Sequence, residues 1–258
     1  MPEPLLNVTR PRPVTRRAGL TCVAIVPAFN EAACLARVIE EVRAADPELE
    51  ILVVDDGSTD ETAAIAVRAG AELIRLPHNL GIGGAVQTGY LYARERGFDL
   101  AVQIDGDGQH DPTQVGKLLE PILDGRADIV IGSRFAGLGA YRAELSRRLG
   151  IRMFARVVSL LVGQRLTDTS SSFRAVNRRA IRVFAADYPH GYLETVEATV
   201  LASKYGLTQT EVPVTMRRRT AGRSTLTTSL SSFYGFKVLV ALFVGLFRKT
   251  SQQLEEEV

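Results

Sequence analysis

Apolar residues in the first half of the chain fall into short β-branched runs separated by amphipathic stretches. The runs predict strands at Cys22–Pro27, Ile51–Asp56, Glu72–Leu76, Asp99–Asp105 and Asp128–Gly132. Between them, Glu31–Ala45, Thr59–Ala69, Gly83–Arg96 and Pro112–Leu123 carry apolar positions at helical spacing. Strands alternating with helices imply an α/β fold, a mainly parallel sheet flanked by helices on both faces. Right-handed crossovers then collect the loops that follow the strands along one edge, where such folds bind ligands. Acidic residues gather there: Asp55 and Asp56 end the second strand, Asp105 and Asp107 the fourth. After about residue 138 the rhythm changes. Ser146–Val162 reads as a basic, apolar helix, Thr167–Ser172 as a polar loop, Leu193–Lys204 as a helix, Thr208–Thr215 as a strand and Ser229–Arg248 as a helical tail.

Composition narrows the class. The 258 residues are 46% hydrophobic and 23% charged, ordinary for one folded domain. A net charge of +2 gives no case for nucleic-acid binding. Cys22 and Cys34 have no C-x-x-C spacing and are expected as buried free thiols in a reducing compartment. Residues 1–19 are rich in Pro and Arg, lack the apolar core of a signal peptide, and read as a disordered arm. The expected location is therefore the cytoplasm, with a catalytic domain at 20–228 and a C-terminal segment at 229–258.

Three segments carry the chemistry. In Gln103-Ile-Asp-Gly-Asp-Gly-Gln-His-Asp111, two carboxylates two residues apart leave an apolar strand into a Gly-flanked turn. Oxygen donors in that setting suit Mg²⁺ or Mn²⁺ shared with a diphosphate, with Gly106 and Gly108 keeping the backbone close. Turns favour Asp and Gly in any case, so this segment alone is also ordinary turn chemistry. Pro27-Ala-Phe-Asn-Glu31 forms the exit of the first strand. In Val54-Asp-Asp-Gly-Ser-Thr-Asp-Glu-Thr62, Ser58 or Thr59 can cap the next helix. Two consecutive carboxylates facing a cleft are left over, and they can accept hydrogen bonds from a base or a ribose. Gly81–Val86 matches a dinucleotide fingerprint only loosely, with Val86 in the third Gly position, and is read as helix packing near the diphosphate. The three histidines have no zinc spacing; only His110 lies beside the candidate metal loop.

The order of these pieces resembles family 2 glycosyltransferases of GT-A fold, and within them the polyprenyl-phosphate sugar synthases of dolichol-phosphate-mannose type. The resemblance rests on Pro27–Glu31, Asp55–Thr62, Asn79–Ala85, Asp105–Asp111, Gly132-Ser-Arg134, Asp168–Arg174 and Glu211-Val-Pro213 followed by Gly222-Arg-Ser224. It implies an inverting, metal-dependent hexosyl transfer from a UDP- or GDP-sugar. Pro27, Ala28, Asn30, Glu31, Asp55 and Asp56 would cradle the nucleotide sugar together with Asp105, Gly106 and Asp107. Asp105, Asp107 and Gln109 would hold the metal, with Asp107 central to catalysis. Arg134, Arg147, Arg148 and Arg223 would face phosphate groups of the acceptor or the donor. Asp168 would act as a base for a hydroxyl acceptor or merely shape the acceptor loop. Two positions depart from the pattern: Ser172 stands where Gly is common, and Thr225 where Lys often follows the Gly-x-Ser.

The expected acceptor is a polyprenyl phosphate at a membrane. Val238–Phe247 is apolar all round for ten residues, about half of what a bilayer core requires. It is expected to lie in the interface of the inner leaflet, helped by basic neighbours, or to pair with a small integral membrane protein. The alternatives are a family 2 enzyme with a saccharide or other hydroxyl acceptor, whose C-terminal helix is core, and a non-catalytic nucleotide-binding protein.

Overall fold

The computed structural model describes residues 16, 17, 19–136, 155–190 and 194–217. Arg147, Arg148, Arg223, nearly all of the N-terminal arm and the segment 229–258 lie outside the described residues. The chain order begins with strand β1 (Arg16–Arg17), β2 (Leu20–Ala28), helix α1 (Leu35–Ala45), β3 (Glu50–Asp55), α2 (Thr62–Arg68), β4 (Glu72–Arg75), α3 (Ile82–Glu95) and β5 (Leu100–Gln103). A short 3₁₀ turn (Pro112–Gln114) leads into α4 (Val115–Leu123) and β6 (Ile129–Ser133). Helix α5 (155–162) follows, then β7 (Arg174–Asn177), α6 (Arg178–Ala186), α7 (Glu194–Lys204) and β8 (Gln209–Pro213).

The sheet order is β4-β3-β2-β5-β7-β6-β8, with β1 paired antiparallel to β2. Strands β4, β3, β2 and β5 are mutually parallel, as are β6 and β8. The expected parallel sheet is interrupted by β7, which runs antiparallel between β5 and β6. Neither β7 nor α6 is among the elements expected above, although Asn177 as a cap and the helical spacing of Ala180, Ile181, Val183 and Phe184 mark α6. Four residues with an Arg at one end carry little strand signal, and β7 is defined by its two neighbours. Because β7 reverses direction, its first residue enters at the edge where the other strands end. Gln103 and Arg174 face each other across that edge.

Both faces of the sheet are covered. Val23, Ile25, Leu52 and Val54 pack with the α3 and α6 side, whereas Ala24, Val26, Ile51 and Val53 pack with α1 and α4. This period-two division explains why the strands read as continuous apolar runs. Helix α1 buries Leu35, Val38, Ile39 and Val42, one face at helical spacing. At the opposite edge, Asp128 accepts from Thr208, Asn177 and Arg179, tying the ends of β6, β7 and β8 together. Burial pushes its carboxyl up, but those bonds outweigh it and hold it below the usual range.

Helix α3 lies unusually close to β2. A Cβ added at Gly89 would sit 2.3 Å from Cγ2 of the fully buried, β-branched Ile25. Alanine is the better helix former by about 1 kcal/mol. We nevertheless expect Gly89→Ala to lower stability by about 1–3 kcal/mol through overpacking. Urea unfolding would show this as a reduced midpoint, and an unchanged or raised midpoint would mean that the α3–β2 contact yields freely.

Candidate active site

The exits of β2, β3, β5, β6 and β8 and the entry of β7 converge on one sheet edge. The first two exits are stitched together. Asn30, the one non-glycine residue with positive φ among those described, donates its amide to Ser58 Oγ at 2.9 Å and accepts from the Thr59 amide at 2.9 Å. The Glu31 amide donates to Thr62 Oγ1 and the Ala32 amide to Asp60. This corrects the capping expectation. Ser58 and Thr59 are drawn into the neighbouring loop, helix α2 starts only at Thr62, and Asp60 accepts from the Thr62 amide at 2.9 Å.

The carboxylates expected to face a cleft at Asp55 and Asp56 are both buried. Asp55 accepts from the Ser58 amide and lies 3.3 Å from Arg75 Nε. Asp56 accepts from the amides of Leu80 at 2.7 Å and Gly81 at 2.9 Å, and so fixes the approach to α3. Burial pushes its carboxyl above the ordinary range against those two bonds, and Asp55 adds to the rise. Pro27 and Ala28 are buried, whereas Asn30 is exposed and Glu31 half-buried. The Gly81–Val86 segment is also committed to packing: a Cβ at Gly83 would meet Pro189 O at 2.4 Å.

Asp105, Asp107 and Gln109 stand half-buried on the loop beyond β5. The Gln109 amide donates to Asp107 Oδ1 at 3.0 Å, curling the loop back on itself. Gly106 is buried, and a Cβ there would lie 3.2 Å from Pro27 O, so its smallness serves the contact with β2. Asp105 is tied to the loop before β7 and to its own turn. Its Oδ2 accepts from Ser172 Oγ at 2.6 Å and lies 3.6 Å from His110 Nε2, while its amide donates to His110 Nδ1 at 3.1 Å. His110 is buried and stacked on Phe173, with ring centroids 4.6 Å apart. Among the described residues, no three His, Cys, Asp or Glu side chains gather to hold a metal. Two carboxylates and one amide still fit Mg²⁺ or Mn²⁺, which keep several positions for water and substrate phosphates.

The loop before β7 is held from both sides. Glu211 accepts from the Thr167 amide at 2.8 Å, from the Asp168 amide at 2.7 Å and from Thr167 Oγ1 at 2.7 Å. Asp168 is fully buried and grips Arg134 in a fork, Nε to Oδ2 at 2.7 Å and Nη2 to Oδ1 at 2.7 Å, and also accepts the Arg134 amide. Of the two expectations for Asp168, this geometry favours loop shaping over action as a base. It also makes Arg134 one half of an ion pair. Arg217 pairs with Glu41 and Asp111, and its amide donates to Gln109 O at 2.8 Å.

Two buried charged residues near the site, Arg174 and Glu194, were given no role by the sequence. Arg174, 1% exposed, donates to the carbonyls of Ser171 and Thr195. Its sequence signals are its place at the end of the Asp168–Arg174 segment and an Arg inside the apolar run Phe173–Val176. Glu194 at the start of α7 is buried, and burial raises its carboxyl from 4.5 to about 7, with Arg174 opposing and Asp105 and Glu197 adding. The unfolded chain loses this proton near 4.5 while the folded chain keeps it to about 7. Glu194 therefore erodes stability as pH rises through that window, by at most about 3 kcal/mol. We expect Glu194→Gln to match wild type in urea at about pH 5 and to exceed it at about pH 8. Equal midpoints at both values would place the carboxyl in water.

A sheet of this order is the GT-A fold of glycosyltransferases. Glucosyl-3-phosphoglycerate synthase from Mycobacterium tuberculosis, crystallised with Mn²⁺, uridine diphosphate and glucosyl-3-phosphoglycerate, superposes with a TM-score of 0.66. The match covers 95% of this chain and 89% of that one at 21% identity, and the likeness is one of fold. Residues 23–184 match the family model Glycosyl transferase family 2, and the chain is a glycosyltransferase of that family. Polyprenol monophosphomannose synthase from Mycolicibacterium smegmatis is 32% identical over 88% of each chain. UDP-N-acetylglucosamine–dolichyl-phosphate N-acetylglucosaminyltransferase from Methanococcus voltae is 31% identical over 74% of this chain and 83% of its own.

Proposed function

We propose that this enzyme transfers a hexosyl group, with inversion, from a nucleoside-diphosphate sugar to a polyprenyl phosphate at the cytoplasmic face of a membrane. The observation that carries this reading is the state of Asp168. A hydroxyl acceptor needs a base, and the carboxylate on the acceptor loop is buried and spent on Arg134. A phosphate monoester, with a second pKa of about 6, is already largely ionised and needs none. The two relatives, whose names specify a polyprenol and a dolichyl phosphate product or acceptor, support the same class. They carry different sugars, so the sugar is left to experiment.

In this reading the nucleotide sugar lies across the exits of β2, β3 and β5. Asp105, Asp107 and Gln109 hold Mg²⁺ or Mn²⁺, which when bound offsets the charge that develops on the leaving diphosphate. The loop held by Glu211 and Asp168 orients the acceptor beside the sugar, where alignment supplies much of the rate. Arg147, Arg148 and Arg223 are proposed to face the acceptor phosphate, since guanidinium groups match its oxygens with a fixed fork of donors.

A panel of UDP- and GDP-sugars with polyprenyl phosphate in membranes tests this, read out as radiolabelled glycolipid. Transfer only to a soluble saccharide would favour the alternative acceptor. No described helix is long and apolar enough to cross a membrane. We expect deletion of 229–258 to move the protein from the membrane pellet to the supernatant. The same deletion should reduce transfer to a long-chain polyprenyl phosphate more than hydrolysis of the nucleotide sugar. A full-length protein that floats free of membranes at low salt would overturn the membrane assignment.

A further inference from the structure

Ser172 departs from the family pattern of Gly, and its hydroxyl joins two parts of the site that the sequence treats separately. It ends the acceptor loop, yet Oγ donates to Oδ2 of Asp105, the first carboxylate of the Asp-x-Asp, at 2.6 Å. The other end of the loop is fixed by Glu211 through the amides of Thr167 and Asp168. The hydroxyl is therefore presented by a segment anchored at both ends.

His110 completes the arrangement. Its Nδ1 accepts the Asp105 amide at 3.1 Å, so that nitrogen carries no proton and the neutral ring holds its hydrogen on Nε2. Nε2 faces the same corner, 3.4 Å from Ser172 Oγ and 3.6 Å from Asp105 Oδ2. Stacking on Phe173, the residue next to Ser172, fixes the ring plane. The Ser172 hydroxyl thus holds Oδ2 by a short bond, with the His110 ring beside it beyond hydrogen-bond reach, whereas at Oδ1 the hydrogen bond from Gln103 Nε2 is long at 3.4 Å.

We propose that Ser172 is a positioning residue for the Asp-x-Asp: its hydroxyl holds Oδ2 of Asp105 so that Oδ1 is the oxygen presented to a divalent cation. The inference rests on the cation-dependent reading above. Groups that orient a ligating carboxylate commonly set metal affinity by roughly 10- to 100-fold when removed. An acceptor loop that bears on a metal ligand also couples the two substrates, because whatever orders one end biases the other.

The test is Mn²⁺ binding by the full-length protein with UDP or GDP present, followed by the electron paramagnetic resonance of the free ion. Ser172→Ala and Ser172→Gly should each weaken Mn²⁺ binding by about 10-fold. Their thermal unfolding and their binding of nucleotide in EDTA should stay at wild-type values. Wild-type Mn²⁺ affinity in both variants overturns the positioning role while leaving the cation site standing. A general loss of nucleotide binding and thermal stability overturns it in favour of a structural role. If the wild-type protein takes up no Mn²⁺ with either nucleotide, the cation-dependent reading fails, and this inference with it.

Discussion

Asp107→Ala should reduce sugar transfer by at least about 100-fold, the scale lost when one preorganised charge-stabilising group is removed from an active site. The fold should survive. Asp107 is half-buried on a loop, and the hydrogen bond it accepts from the Gln109 amide contributes about 1 kcal/mol. The measurement is glycolipid formation at saturating Mg²⁺ or Mn²⁺, with circular dichroism confirming the folded state. Turnover near that of wild type would remove Asp107 from the catalytic machinery and with it the metal assignment.

Asp168→Ala should show the opposite balance, with stability and activity falling together. The substitution strips a fully buried carboxylate from a forked pair and leaves the Arg134 guanidinium, with only 22% of its side chain exposed, without its main partner. Breaking a buried pair on one side costs about 3–5 kcal/mol. It also frees the Arg134 amide and the Ser170 hydroxyl that Asp168 holds. Combining Asp168→Ala with Arg134→Leu should recover part of the lost stability, since the half-buried guanidinium that lost its carboxylate is then gone as well. Urea unfolding of the two single variants and the double variant completes the cycle. A base would behave differently: Asp168→Asn would keep wild-type stability and lose activity alone.

Much of the edge that bears the site was legible because its geometry follows from local pattern. Continuous apolar runs such as Cys22–Pro27 and Ile51–Asp56 mark strands covered on both faces, and a parallel arrangement puts their exits side by side. The Asp105–Gln109 loop could be placed from that alone. Boundaries were less secure. The helix expected from Glu31 begins at Leu35, because Glu31 O accepts from the amides of Cys34 and Leu35 in a preceding turn. The strand expected to reach Asp105 ends at Gln103.

What each acidic residue does was not legible, because carboxylates read alike in sequence and differ only by what surrounds them. Asp55 and Asp56 adjoin an exit loop as expected, yet Arg75 pairs with Asp55, and the amides of Leu80 and Gly81 donate to Asp56, all from distant segments. Asp168 and Arg134 are 34 positions apart, and Glu211 and Thr167 are 44 apart. No local spacing announces either contact. The sequence by itself determined the alternation of elements, the two apolar faces of the sheet and the oxygen-rich loop at its edge. These depend on side-chain periodicity and on the residue types that turns and divalent cations require. Only the tertiary structure decided that β7 runs backwards between β5 and β6 and carries Ser172 to Asp105. It likewise decided that Asp168 is spent on Arg134, since both outcomes depend on which segments the packed core forces into contact.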